Sequence, residues 1–288
     1  MKEKMVRAPI KARPSHYYNR KSSPMMHYIL STVAVLLSVC SFSFAFTHTP
    51  AMRGDCRLFL DTADESEWSN LLPLGIFHGV TTNPVLLEHA GQSCSIPALQ
   101  DLARRALSQT NEFMCQAWGS RAEDIYSVGM QLSEPDQERI VIKVPLTSEG
   151  TKAATKLVES GVRVCLTACY SSHQALIAAG TGAEYIAPYV GRMTDSGLDG
   201  IEECQKIQDL VHGMRSNTRI LAASIRGVDD LADLAADGVD SITFSPDVAR
   251  ALFQDPLTED AAEEFYAAAI RNGALSESGP FHKNQVEQ

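Results

Sequence analysis

The chain has 288 residues, 44% hydrophobic and 21% charged, which suits one or two ordinary globular domains. Its formal charge of −10 is unevenly spread: residues 1–45 hold seven Lys/Arg and one Glu, leaving 18 Lys/Arg against 34 Asp/Glu, a net of −16. That acidic remainder excludes a nucleic-acid backbone as partner and leaves small anionic substrates, provided a few arginines converge locally.

Residues 1–52 read as a presequence. A basic region precedes an apolar run from about Ile29 to Phe46 that ends in the small-x-small triplet Ser43-Phe44-Ala45, a secretory signal pattern with cleavage near Ala45. A signal anchor is the alternative, since the run is near the minimum spanning length; the serines that dilute it favour cleavage and leave no stable membrane span. The Ala45-Phe46 junction and the hydroxyl- and base-containing stretch behind it resemble the bipartite presequences of algae with complex plastids. The expectation is entry into the secretory route with a plastid as destination. Six cysteines follow, at 56, 94, 115, 165, 169 and 204, with no C-x-x-C and several in apolar runs, so they read as buried thiols of an intracellular protein.

From Arg57 short apolar runs alternate with helical segments. The predicted strands are 57–61, 78–82, 112–116, 140–144, 162–168, 184–188, 219–224 and 241–244. Thr62–Glu65, Ser120–Glu123 and Ser171–Gln174 fit capping boxes, Asn83-Pro84 and Ser245-Pro246 put a capping residue before proline, and Gly161 and Gly238 sit where helices should end. Eight βα units over residues 53–257 predict an α/β fold, a single parallel (β/α)8 TIM barrel. An open dinucleotide-binding sheet lacks support because no G-x-G-x-x-G follows any strand. Residues 258–288 add an extra C-terminal helix (258–273) and a loose tail; the helix's apolar stripe needs a partner, in this chain or a neighbouring subunit.

One lysine stands inside an apolar strand: "RIVIKVPLTSEG" (139–150) encloses Lys143 among Ile140, Val141, Ile142 and Val144. A buried lysine must pair, reach the rim or lose its proton. Lys143 is therefore either a strand-end lysine in water or a nucleophile. In a barrel the carboxyl ends of all strands form one face, and reading those ends in order yields Asp61, Thr81-Thr82-Asn83, Gln116, Lys143, Thr167, Tyr189 with Arg192, and Ser224 with Arg226. Each has a plainer reading: Asp61 as a helix cap, Thr167 and Ser224 as small strand-end residues, Tyr189 as packing. Arg192 and Arg226 could be surface partners of Asp195 or Asp229. Together the set suits Schiff-base carbon–carbon lyase work, in which an amine attacks a ketose carbonyl, a carboxylate or held water moves protons, and arginine and serine bind a phosphate. The histidines show no metal-ligand spacing, so no metal is expected.

"LFLDTAD", "GVTTNPVLL", "IVIKVPLTSEG", "AEYIAPYVGR" and "LAASIR" resemble the transaldolase family, especially its short members that include the bacterial fructose-6-phosphate aldolases. The resemblance runs from about Arg57 to Asp255, and leaves out residues 1–52 and the tail after about Gly273. It implies Lys143 as the Schiff-base lysine, Asp61 as the carboxylate beside the substrate hydroxyls, and Thr82 and Asn83 as substrate contacts. It implies Gln116, Thr167 and Tyr189 as holders of a catalytic water, and Ser224, Arg192 and Arg226 as the phosphate site. It also implies a barrel without cofactor acting on sugar phosphates, and a homo-oligomer of pentamer or decamer type with the last helix packed on a neighbour. Gln116 and Tyr189 form the aldolase-like pair, where transaldolases carry Glu and Phe. Gly191 and Arg226 match the transaldolase branch, where the aldolases carry Asn and Lys. The balance leans to fructose-6-phosphate aldolase, with a transaldolase as the alternative and a non-catalytic sugar-phosphate-binding barrel as a reading of a different class.

Overall fold

The computed structural model describes residues 56–274; the presequence and the tail both lie outside the described residues. Eight strands, β1 (Arg57–Asp61), β2 (Phe77–Thr81), β3 (Glu112–Gln116), β4 (Ile140–Pro145), β5 (Arg163–Cys169), β6 (Tyr185–Pro188), β7 (Arg219–Ala222) and β8 (Ser241–Phe244), form a closed barrel in chain order. Every neighbouring pair is parallel, and β8 closes on β1. Around it lie α1 (Glu65–Leu71), α2 (Pro84–His89), α3 (Ile96–Leu107), α4 (Ala122–Ser133), α5 (Ser148–Glu159), α6 (Ala175–Thr181), α7 (Val190–Asp195), α8 (Gly200–Gly213), α9 (Val228–Ala236) and α10 (Pro246–Ala251), and α11 (Pro256–Arg271) follows. This is the expected (β/α)8 barrel with an extra C-terminal helix. Among the described residues no helix is long and apolar enough to cross a membrane.

Several expected boundaries shift. β2 lies one residue earlier than 78–82. β7 stops at Ala222, because Ala223 makes only an isolated bridge to Tyr189 and Ser224 takes a left-handed φ of 62° that no strand continues through. Two expected capping boxes are also replaced. Asp64, not Thr62, caps α1 by accepting from the Ser66 amide at 2.8 Å. At α4 the Ala122 amide donates to Glu149 Oε2 at 2.9 Å, so a neighbouring helix supplies the cap that Ser120 was expected to provide. Asn83 and Ser245 cap α2 and α10 as expected, and Gly161 and Gly238 take the positive φ that terminates their helices.

Side-chain alternation sorts the barrel interior into storeys. Phe59, Met114, Val141, Cys165, Tyr185, Ala187 and Leu221 pack on one another as an apolar middle, separate from the larger cluster between strands and helices. Gly79 makes room for it: a Cβ there would stand 2.3 Å from the Glu112 carbonyl oxygen and 2.8 Å from the Phe59 ring. Two residues earlier on β1, β3 and β5 lie Arg57, Glu112 and Arg163, an ionic base. Arg163 Nη2 donates to Glu112 Oε2 at 2.6 Å, and Arg57 Nη1 donates to the Tyr185 hydroxyl at 2.6 Å. Burial acts to raise the Glu112 carboxyl, but the hydrogen bond from His78 and the charge and hydrogen bond of Arg163 outweigh it and hold the group below the usual glutamate range.

Candidate active site

Two residues onward from the apolar middle, the same inward face reaches the carboxyl ends of the strands. Phe59 leads to Asp61, Met114 to Gln116, Val141 to Lys143, Cys165 to Thr167 and Ala187 to Tyr189. The polar top storey is thus a consequence of strand parity: one apolar residue seals the barrel beneath each polar one.

Lys143 stands at the floor of a pocket of about 270 Å³ at this face. Its residue surface is 4% exposed, and its amine makes no hydrogen bond or ion pair with the described residues. Asp61 faces the same pocket without pairing with it. Cys165, its register partner on β5, offers no counter-charge, because burial pushes that thiol up to about 12 despite the nearby Lys143 charge. A buried amine with no tied-up lone partner is free to meet a ligand.

Asp61 does not cap α1; its Oδ1 accepts from Thr81 Oγ1 at 2.6 Å, and Thr81 Oγ1 in turn lies 2.5 Å from Thr243 Oγ1. Asn83 lines the pocket while its Oδ1 accepts from the Val85 and Leu86 amides, which leaves its amide hydrogens as donors for a ligand. Thr167 Oγ1 and the Tyr189 hydroxyl pair at 2.9 Å. Gln116 sits beside Lys143 in the β3–β4 register but is not part of the pocket wall.

Arg192, Ser224 and Arg226 gather at the rim. The Arg192 guanidinium lies 5.1 Å from the Tyr189 ring centroid and donates to the Tyr170 hydroxyl at 3.3 Å. Arg226 pairs with Asp195, and that hydrogen bond holds the Asp195 carboxyl below its usual range. Ser224 Oγ is buried without a partner among the described residues. Gly191 lets this corner close: a Cβ there would stand 2.1 Å from the Ser224 carbonyl oxygen and 2.8 Å from Arg226 Cγ. Gly191 and Arg226 are therefore one packing unit.

Thr82 is buried outside the pocket wall, with its hydroxyl donating to the Met114 carbonyl at 3.0 Å, so the structure does not bring it together with the other expected substrate contacts. Its neighbour Thr81 holds the inward position, two residues on from Gly79, whose missing side chain makes room for Phe59. Thr243 and His89 also line or support the pocket and were missed. Counting in twos from Ser241 would have found Thr243. Nothing in the spacing marks His89. Among the described residues no three His, Cys, Asp or Glu come together in a set that could hold a metal ion.

A family model described as Transaldolase/Fructose-6-phosphate aldolase matches residues 58–280. The chain belongs to the transaldolase/fructose-6-phosphate aldolase family. It is 35% identical over 217 residues to a probable transaldolase of Phenylobacterium zucineum, covering 75% of this chain and 98% of that one. A probable transaldolase of Chelativorans sp. is 36% identical over 224 residues, with the same coverage of each chain. A third, from Leptospira biflexa, is 34% identical over 211 residues, covering 73% of this chain and 95% of that one. The match spans the whole barrel, so this is an enzyme of the transaldolase/aldolase type, and the pocket at the carboxyl ends of its strands is where such a barrel works.

Proposed function

We propose that Lys143 forms a Schiff base with a ketose phosphate, fructose 6-phosphate being the expected substrate, and that the enzyme acts as a fructose-6-phosphate aldolase. The observation that carries this is a nearly fully buried amine at the floor of a polar pocket, with no ion pair to occupy it.

The Lys143 Nζ lone pair attacks the substrate C2 carbonyl, and loss of water leaves an iminium. Asp61, directly or through a water, takes the C4 hydroxyl proton. The C3–C4 bond then breaks: the C4 oxygen becomes a carbonyl, and the bond's electron pair moves towards the iminium nitrogen to give an enamine. Glyceraldehyde 3-phosphate departs, and a dihydroxyacetone unit stays on the lysine. Asn83 donates to a substrate oxygen, while Arg192, Arg226 and the partnerless Ser224 hydroxyl suit a phosphate. Protonation of the enamine and hydrolysis release dihydroxyacetone. The bonded Thr167 and Tyr189 hydroxyls, with the Gln116 amide beside Lys143, favour a water held for that step.

A second reading rests on the Gly191–Arg226 unit, which resembles the transaldolase branch, and on the names of the relatives. In it the enamine attacks an aldose such as erythrose 4-phosphate. Glyceraldehyde 3-phosphate release from fructose 6-phosphate without acceptor separates the two. Continuous turnover supports the aldolase; a burst equal to the active sites, resumed on adding erythrose 4-phosphate, makes it a transaldolase.

Two further parts of the account are proposals. Helix α11 buries none of its residues and exposes Leu257, Phe265 and Ile270, which suits packing on a neighbouring subunit. A monomer by light scattering would overturn that. The presequence is proposed to direct the chain through the secretory route to a plastid. A mature N-terminus far upstream of Ala45 would contradict its cleavage.

A further inference from the structure

We infer that Thr243 is a positioning residue that acts on Asp61 through Thr81, which extends the reading of Asp61 as the group that takes the substrate hydroxyl proton and rests on it. Three strands supply the chain: Asp61 ends β1, Thr81 ends β2 and Thr243 lies on β8. Both neighbouring strands pair with β1, so β1 carries Asp61 between the two threonines.

Proton counting gives the chain a direction. Each hydroxyl has one proton to donate. The ionised Asp61 carboxylate can only accept, so the Thr81 proton goes to Asp61 Oδ1 across 2.6 Å. The Thr81 oxygen then has only lone pairs to offer Thr243, which must donate across 2.5 Å. Thr81 and Thr243 are 0% and 1% exposed, so water does not replace either bond. Thr243 also reaches the pocket wall, whereas Thr81 does not. The outcome is a carboxylate with one oxygen fixed from behind and the other left for the pocket. When the pocket-facing oxygen takes up a proton, Oδ1 still accepts from Thr81, so the chain keeps its direction. Both states of the carboxyl are served without moving a heavy atom, which suits a group that takes and returns a proton in each turnover.

The test compares Thr243→Val, which keeps the shape and removes the hydroxyl, with Thr243→Ser, which keeps the hydroxyl. Both are measured for fructose 6-phosphate cleavage in the full chain, alone and combined with Asp61→Asn. We expect Thr243→Val to lower kcat about fivefold, the equivalent of one ordinary hydrogen bond, with KM within about twofold of the parent. Thr243→Ser restores most of kcat, and Thr243→Val adds nothing on top of Asp61→Asn, because both act on the same carboxyl. A thermal melt of each variant separates loss of fold from loss of position. Equal impairment in the Val and Ser variants, or a full additive loss in the double variant, would overturn the role of Thr243 while leaving Asp61 in place. Undiminished turnover in Asp61→Asn alone would remove the proton role of Asp61 and this inference with it.

Discussion

Tyr189→Phe tests whether the paired hydroxyls set the fate of the lysine-bound intermediate. The substitution deletes one oxygen and keeps the ring, so the Arg192 guanidinium at 5.1 Å and the edge contact with Tyr170 at 5.5 Å survive. What is lost is the 2.9 Å bond to Thr167, a neutral hydrogen bond worth about 1 kcal/mol of stability. The fold therefore persists, and the effect on catalysis can be read cleanly. If the pair holds the water that protonates the enamine, acceptor-free release of glyceraldehyde 3-phosphate falls about a hundredfold or more, the usual contribution of positioned proton transfer. Transfer to erythrose 4-phosphate skips that protonation, though its product iminium is still hydrolysed, and stays within a few-fold of the parent. The assay couples glyceraldehyde 3-phosphate to its dehydrogenase, with and without acceptor. Equal loss in both arms, or no loss in either, would refute the reasoning.

Two other outcomes are expected. Arg226→Ala removes the charged donor at the rim, and KM for fructose 6-phosphate should rise about tenfold or more, by the loss of a charge-assisted hydrogen bond, with smaller change in kcat; an unchanged KM would place the phosphate elsewhere. Glu112→Gln breaks the ionic base under the barrel by removing one buried partner of Arg163, at a cost of about 3–5 kcal/mol in chemical denaturation. Because the folded Glu112 carboxyl lies below its unfolded value of about 4.3, its contribution is present above that pH and fades as the pH falls through the folded value. The parent should lose stability in that acid window more steeply than the variant; parallel curves would contradict the assignment.

The barrel was legible because its strands are short apolar runs, β4 a continuous β-branched one, and because helical start and stop signals separate them. Most of the pocket was legible for a related reason: in this fold the chemistry collects at strand ends, and reading those ends in order named Asp61, Lys143, Tyr189 and Ser224. What failed was parity. Thr81-Thr82-Asn83 was read together at the end of β2, and only Thr81 and Asn83 share the inward parity of Gly79, since each step along a strand turns the side chain to the opposite face. Thr243 went unseen because β8 was read as a strand and not followed to its end. The cap that Glu149 gives α4 joins residues 27 apart in sequence, and no local pattern announces it. The partnerless Ser224 hydroxyl also depends on a left-handed turn at a residue type that rarely adopts one.

The central claim is the covalent bond to Lys143, and trapping it is the most direct measurement. Fructose 6-phosphate and borohydride are added together to the purified chain, which is then digested and mapped by mass spectrometry. The expected result is a reduced dihydroxyacetone adduct on the peptide containing Lys143, and neither adduct nor turnover in Lys143→Met. An active Lys143→Met variant, or an adduct on a different lysine in the parent, would contradict it.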